Sequence, residues 1–143
     1  MTDTHHTIQS WVDRLPDDAT SERVHADFWY VRVPGVSRSW IPVEIEVGER
    51  SVKLTSHVIV EPEERPADVY KLLLRHNHRA DGVSFSFEGR EGVICLVARI
   101  PRDEIGERKL DLFVGRIVET TEATFRSILD IGFGSRLRRS RGG

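Results

Sequence analysis

The sequence predicts an α+β domain in the order α-βββ-α-ββ-α, with a five-stranded antiparallel sheet packed by helices. A compact helix at residues 66–76 is closely followed by the most apolar strand, residues 93–98. Both alternating faces of that strand are apolar, which predicts a central position covered on both sides. Earlier in the chain, three strand-like segments joined by short turns predict an antiparallel meander.

Each helix is predicted from apolar residues that recur at helical spacing. Ile8, Trp11, Val12 and Leu15 share one face of a first helix, predicted over residues 4–15. Pro66 suits a first helical position and begins the second helix. A third helix follows the break at Pro101, where the apolar pattern runs from residue 110 to residue 132.

The strands are predicted from alternation and from aromatic and β-branched content. Residues 28–33 form the first strand, which ends at the turn Pro34-Gly35. The remaining strands are predicted over residues 40–47, 51–60, 83–88 and 93–98. Residues 16–27 contain no such pattern and are predicted to be a polar linker.

Length and composition indicate one globular domain. The 143 residues are 38% hydrophobic and 31% charged, which suits a chain with a single core. The longest apolar run is six residues, against about 20 needed to cross a bilayer. The first residues lack the layout of a secretory signal, so we expect a cytoplasmic protein. The single cysteine, Cys95, is expected to be a small core residue.

The C-terminus differs in charge from the rest of the chain. Four of the 21 basic residues, Arg136, Arg138, Arg139 and Arg141, lie in the last eight positions, so the body holds 17 basic against 23 acidic residues. We predict a domain at residues 1–134 and a disordered basic tail at residues 135–143. Such a tail could bind phosphates or an acidic partner, although a solubilising role is favoured because it lacks stacking aromatics.

No catalytic motif is found. The sequence contains no Gly-x-Ser-x-Gly elbow, no phosphate-binding Gly-x4-Gly-Lys segment and no cysteine pair for zinc. His76, His78 and Asp81 carry metal-ligating groups, but they lack a fourth ligand in view, and we favour a structural role for His76 and a solvated His78. We expect no catalytic residue, metal or cofactor.

Aromatic and leucine side chains supply the candidate binding residues. Nearly half of the aromatic residues fall in the first 40 positions, and aromatics with a polar group are common at interfaces. Trp11, Trp29, Tyr30 and Trp40 are therefore candidates for contacting a client segment. The 66–76 helix has a second apolar stripe, and we expect Tyr70, Leu73 and Leu74 to mediate self-association into a homodimer.

Residues 40–131 resemble the YbjN-like family. The resemblance rests on the leucine-rich helix around residues 69–77, on the aromatic strand and Gly turn that lead to an apolar strand ending in Pro101, and on the closing long helix. It implies the fold of type III secretion chaperones, a five-stranded antiparallel sheet, a common tendency to dimerise and no known catalytic residues. It also implies a sensory, regulatory or chaperone-like role in peptide binding.

Three functional hypotheses follow. The first is a non-enzymatic, chaperone-like or regulatory module that holds a peptide segment of a client protein at sheet edges or apolar grooves. The second is a binder of nucleic acid or an acidic partner through the arginine tail, and the third is a small-molecule enzyme. The third hypothesis requires a buried pocket where Arg32, Arg99 or His57 converge.

Overall fold

The protein is described by a computed structural model over residues 3–79, 81–89 and 92–137. The helices that form the domain are α1 (Thr4–Asp13), α2 (Pro66–Asn77) and α3 (Glu107–Gly132), and residues 134–137 are also helical. The strands are β1 (Thr20–His25), β2 (Phe28–Pro34), β3 (Trp40–Val47), β4 (Ser51–Ile59), β5 (Ser84–Glu88) and β6 (Val93–Pro101). A 3-10 turn, Arg102–Glu104, joins β6 to α3. The α+β class is confirmed.

The strands form one sheet in the order β1-β2-β3-β4-β6-β5, with every neighbouring pair antiparallel. The sheet has six strands instead of the predicted five, because the segment interpreted as a linker contains β1. All six residues of β1 are exposed. The segment therefore shows no alternation of apolar and polar residues. It is a strand because its backbone pairs with β2, with Ser21 opposite Val31.

The three helices pack against one face of the sheet. Neighbouring strands align Ile45, Leu54 and Ala98 on that face, and all three side chains are buried in one core with residues from each helix. Each helix contributes a fully buried residue to this core: Ile8 from α1, Val69 from α2 and Ile117 from α3. Within the described ranges, no helix covers the opposite face of the sheet.

The prediction that the most apolar strand is central and covered by other elements on both sides is wrong. β6 lies second from the edge, between β4 and β5. On the face without helices, Val93 and Val97 are half-buried, whereas Cys95 is fully buried. The Lys53 ammonium and the Glu88 carboxylate, from the strands on either side of β6, approach to 2.8 Å on that face. Side chains of the neighbouring strands thus cover much of the apolar surface of β6 on this face.

No helix in the described ranges is both long enough and apolar enough to cross a membrane.

Candidate protein-binding groove

An apolar groove of about 310 Å³ lies between helix α2 and the edge strand β5. The helix contributes residues at positions i, i+3, i+4 and i+7, which share one face of a helix. Strand β5 and its neighbour β6 contribute the opposite wall. The lining residues are Tyr70, Leu73, Leu74, Asn77, Phe85, Ser86, Phe87 and Ile94.

Large apolar side chains line both rims of this groove. Leu74 on the helix is 66% exposed and Phe87 on the strand is 50% exposed. The rings of Tyr70 and Phe87 meet edge to face, with centroids 5.3 Å apart. Leu73 forms part of the floor, because it is only 5% exposed. Of the three residues predicted for self-association, Tyr70 and Leu74 therefore lie at a surface, and Leu73 belongs largely to the core.

Asn77 closes part of the β5 edge. Its Oδ1 accepts a hydrogen bond from the Phe85 N–H at 2.7 Å, and its Nδ2 donates to the Phe85 carbonyl at 3.1 Å. The side-chain amide thus takes both backbone positions that a further strand would use at Phe85. The sequence did not mark Asn77 or Phe87 as binding residues. Asn77 could have been found only from its position seven residues after Tyr70, on the same helix face, and Phe87 only from the alternation of apolar and polar residues in β5.

A basic edge runs beside the groove along the exposed side of α2. Lys71 and Arg75 are one helical turn apart and both are exposed. Within the described parts of the chain, neither residue forms an ion pair with a carboxylate. Asp68, on the same side of the helix, pairs with Arg65 at 2.9 Å. The helix rim of the groove is therefore positively charged.

The titratable groups around the groove favour their neutral forms. Burial, and then the nearby Glu61 carboxylate, raise the pKa of Tyr70. Burial, and then the neighbouring Arg79 guanidinium, lower the pKa of His76. The His76 ring also packs edge to face on Phe85, with centroids 6.4 Å apart. This packing fits the predicted structural role of His76.

His76 and Asp81 line a second, polar depression of about 240 Å³ between α2 and α3, and His78 does not line it. Among the residues that the structure describes, no three histidine, cysteine, aspartate or glutamate side chains are grouped to hold a metal ion.

Two of the four residues predicted to contact a client lie in the core. Trp29 is fully buried, and its Nε1 donates to Gln9 Oε1 at 3.0 Å. Trp11 is 4% exposed, and its Nε1 donates to Asp111 Oδ1 at 2.7 Å. Both indoles thus place their single donor on an acceptor within the domain. Neither can serve as a surface anchor, and that part of the prediction is wrong.

The other two residues, Tyr30 and Trp40, lie on the face of the sheet without helices. Trp40 begins β3 and is 40% exposed, while Tyr30 on β2 is half-buried. The register pairs Tyr30 with Glu44, so this face mixes aromatic and charged side chains. Both residues remain accessible to a partner, although neither lines the α2–β5 groove.

A shallow depression of about 140 Å³ lies on the same face of the sheet. It contains His57, whose Nε2 lies 3.8 Å from a Glu44 carboxylate oxygen. Arg32 and Arg99 do not line it. The three side chains named for the enzyme hypothesis therefore do not converge in this depression.

The beginning of the predicted tail is anchored to the domain. The Ser135 N–H and hydroxyl donate to the Glu64 carboxylate at 2.7 and 2.6 Å, and Arg136 pairs with Glu63 at 2.9 Å. Residues 135–137 are helical, so the prediction of disorder from residue 135 onward is wrong for these three residues. Arg138, Arg139 and Arg141 lie outside the described residues. Because Arg136 already pairs with a carboxylate of the domain, it is less available to bind an acidic partner.

The fold is that of type III secretion chaperones. A chain in the heterodimeric ExoU–SpcU complex of the Pseudomonas aeruginosa type III secretion system matches with a TM-score of 0.60. It is 17% identical, and the match covers 83% of this chain and 95% of that one. A chain in the ExsC–ExsE complex matches with a TM-score of 0.61 at 14% identity, covering 87% and 96% of the two chains. At these identities the likeness establishes the fold alone.

Uncharacterized mycobacterial proteins are similar to this chain in sequence. The chain is 32% identical over 109 residues to the uncharacterized proteins Rv0487 of Mycobacterium tuberculosis (strain ATCC 25618 / H37Rv) and Mb0497 of Mycobacterium bovis. It is 30% identical to the uncharacterized protein ML2442 of Mycobacterium leprae. Each match covers 76% of this chain but 59% of the relative, so the chain spans about three fifths of the length of these proteins. No family model matches the chain, and the YbjN-like resemblance stays a prediction.

Proposed function

We propose that this protein is a non-enzymatic, chaperone-like binding module that holds a segment of another polypeptide. The α2–β5 groove receives apolar side chains of that segment. The observation that carries the proposal is the pair of exposed apolar rims, Leu74 and Phe87, on either side of an apolar concavity.

The chemistry of the groove supports binding rather than catalysis. Its lining is almost wholly apolar, and Tyr70 favours its neutral form. Apolar surface removed from water contributes roughly 25 cal/mol per Å², so covering Leu74 and Phe87 would stabilise a complex. Catalytic sites usually combine converging polar groups with a cleft that excludes water. The groove offers Asn77 and Ser86 as its main polar side chains, and the Asn77 amide is engaged with Phe85.

The fold comparison supports the same proposal. The ExoU–SpcU and ExsC–ExsE structures are complexes in which a chain of this fold assembles with a protein partner. The identity of the client and a cytoplasmic location stay predictions for this chain.

A second copy of the chain is an alternative occupant of the groove. The predicted homodimer would place Tyr70 and Leu74 at its interface, where both are accessible. Sedimentation velocity tests it directly: a wild-type protein that remains at the mass of one chain, 16.4 kDa, at tens of micromolar contradicts the homodimer.

Photocrosslinking tests the proposed groove. A p-benzoylphenylalanine residue at position 74 should form covalent adducts with a bound polypeptide in native extract. The same residue at position 112 is the matched control, because Leu112 is also an exposed helical leucine, at 47%. Adducts from position 74 that are weak or absent from position 112 support the proposal. Equal adducts from both positions, or none from position 74, would contradict it.

A further inference from the structure

We infer that the α2–β5 groove binds an amphipathic α-helix of another protein, with acidic residues beside its apolar stripe. The inference rests on the proposed function and specifies its partner. It is drawn from three features of the groove: the closed strand edge, the length of the apolar face and the unpaired cations on the helix rim.

The edge of β5 is a poor template for an added strand. Alternate residues of an edge strand direct their N–H and C=O groups outward. Both groups of Phe85 are already bonded to Asn77, and β5 is only five residues long. Within β5, only Phe87 is left to offer outward N–H and C=O groups to an added strand. A helix satisfies its own backbone hydrogen bonds and needs none from this edge.

The dimensions of the groove fit a short helix. Its helical wall runs from Tyr70 to Asn77, a distance of about 10 Å at the usual helical rise. Two turns of a partner helix span that length, and they present apolar side chains at i, i+3, i+4 and i+7. Those side chains would cover Leu74 and Phe87, the exposed rims.

Charge decides between a second copy and a different partner. Lys71 and Arg75 lie on the side of α2 next to Leu74 and have no carboxylate partner among the described residues. In a two-fold contact centred on Leu74, these cations would face the same cations of the second copy. Like charges so placed oppose association. Glutamate or aspartate residues flanking the apolar stripe of a partner helix would complement them.

Fluorescence anisotropy with three labelled 14-residue peptides tests the inference. The first carries leucines at i, i+3, i+4 and i+7 with flanking glutamates. The second replaces each glutamate with lysine, and the third is an isomer of the first in which leucine and glutamate alternate as in a strand. We expect the first to bind more tightly than the lysine peptide by about five-fold, the size that two exposed ion pairs provide. It should also bind more tightly than the alternating isomer, which cannot place its leucines on one face of a helix. The preference over the lysine peptide should fall as salt is added.

Charge reversal supplies the matched variants. Lys71→Glu/Arg75→Glu should invert the preference between the glutamate and lysine peptides. Arg50→Glu/Arg108→Glu changes the net charge equally at exposed sites near the opposite end of the sheet and should keep the original order. Leu74→Glu should abolish binding of the first peptide. All five positions are exposed, so the substitutions leave the core intact.

The contrary outcomes separate the inference from the proposed function. Equal binding of the glutamate and lysine peptides, lost in Leu74→Glu, would overturn the acidic helix and keep an apolar binding groove. Tighter binding of the alternating isomer would overturn the helix in favour of an added strand. A wild-type dimer that Leu74→Glu converts to a monomer, with no peptide bound, would assign the groove to a second copy. Peptide binding unaffected by Leu74→Glu would contradict both the inference and the groove.

Discussion

Replacing Asn77 with alanine tests how the edge of the sheet is closed. The substitution removes two hydrogen bonds to Phe85, of 2.7 and 3.1 Å. Each such bond contributes about 0.5–1.5 kcal/mol net, so about 1–3 kcal/mol is lost. Alanine is the better helix former by roughly 0.5 kcal/mol. We therefore expect the free energy of unfolding to fall by about 0.5–2.5 kcal/mol.

Urea denaturation followed by tryptophan fluorescence measures this loss, since the buried Trp11 and Trp29 report on the core. Hydrogen exchange provides a local readout, because the Phe85 amide should lose its protection. Arg75→Ala is the control, as that side chain is exposed on the same helix. If Asn77→Ala is as stable as Arg75→Ala and the Phe85 amide exchanges unchanged, Asn77 does not close the edge, and β5 is open to an added strand.

Three further predictions concern other sites. Trp29→Ala should cost about 3–5 kcal/mol of stability and Trp40→Ala about 1 kcal/mol or less, measured by urea denaturation, because the first side chain is fully buried and the second is 40% exposed. Hydrogen bonds from two backbone amides in the β2–β3 loop lower the pKa of Glu122 below 4.5. The melting temperature of wild type should therefore exceed that of Glu122→Gln by its full amount above pH 4.5, and the difference should shrink as the pH falls below that value. A difference that is unchanged at pH 3 would contradict this. Burial raises the pKa of Cys95 to about 11, so native protein at pH 8 should react with iodoacetamide far more slowly than unfolded protein, and equal rates would show that the thiol is accessible.

Most of the groove could not be predicted from the sequence. The stripe that contains Tyr70 and Leu74 indicated a second apolar surface on α2, and both residues do line the groove. The sequence could not show that Phe87 forms the other rim, because that depends on β5 lying beside α2. It also could not show that Trp29 is buried and Trp40 exposed. The sequence of a strand does not show which of its two faces the helices cover, so it does not show which aromatic residues are buried.

The sequence by itself determined the helices, five of the six strands and the α+β class, because these depend on local periodicity and on short antiparallel connections. Only the tertiary structure decided the order of the strands, the face that the helices cover and the existence of β1, whose exposed residues carry no hydrophobic pattern. The groove is also a tertiary feature. Asn77 and Phe85 meet through a contact between a helix and an edge strand, and side-chain hydrogen bonds of this kind leave no periodic trace in a sequence.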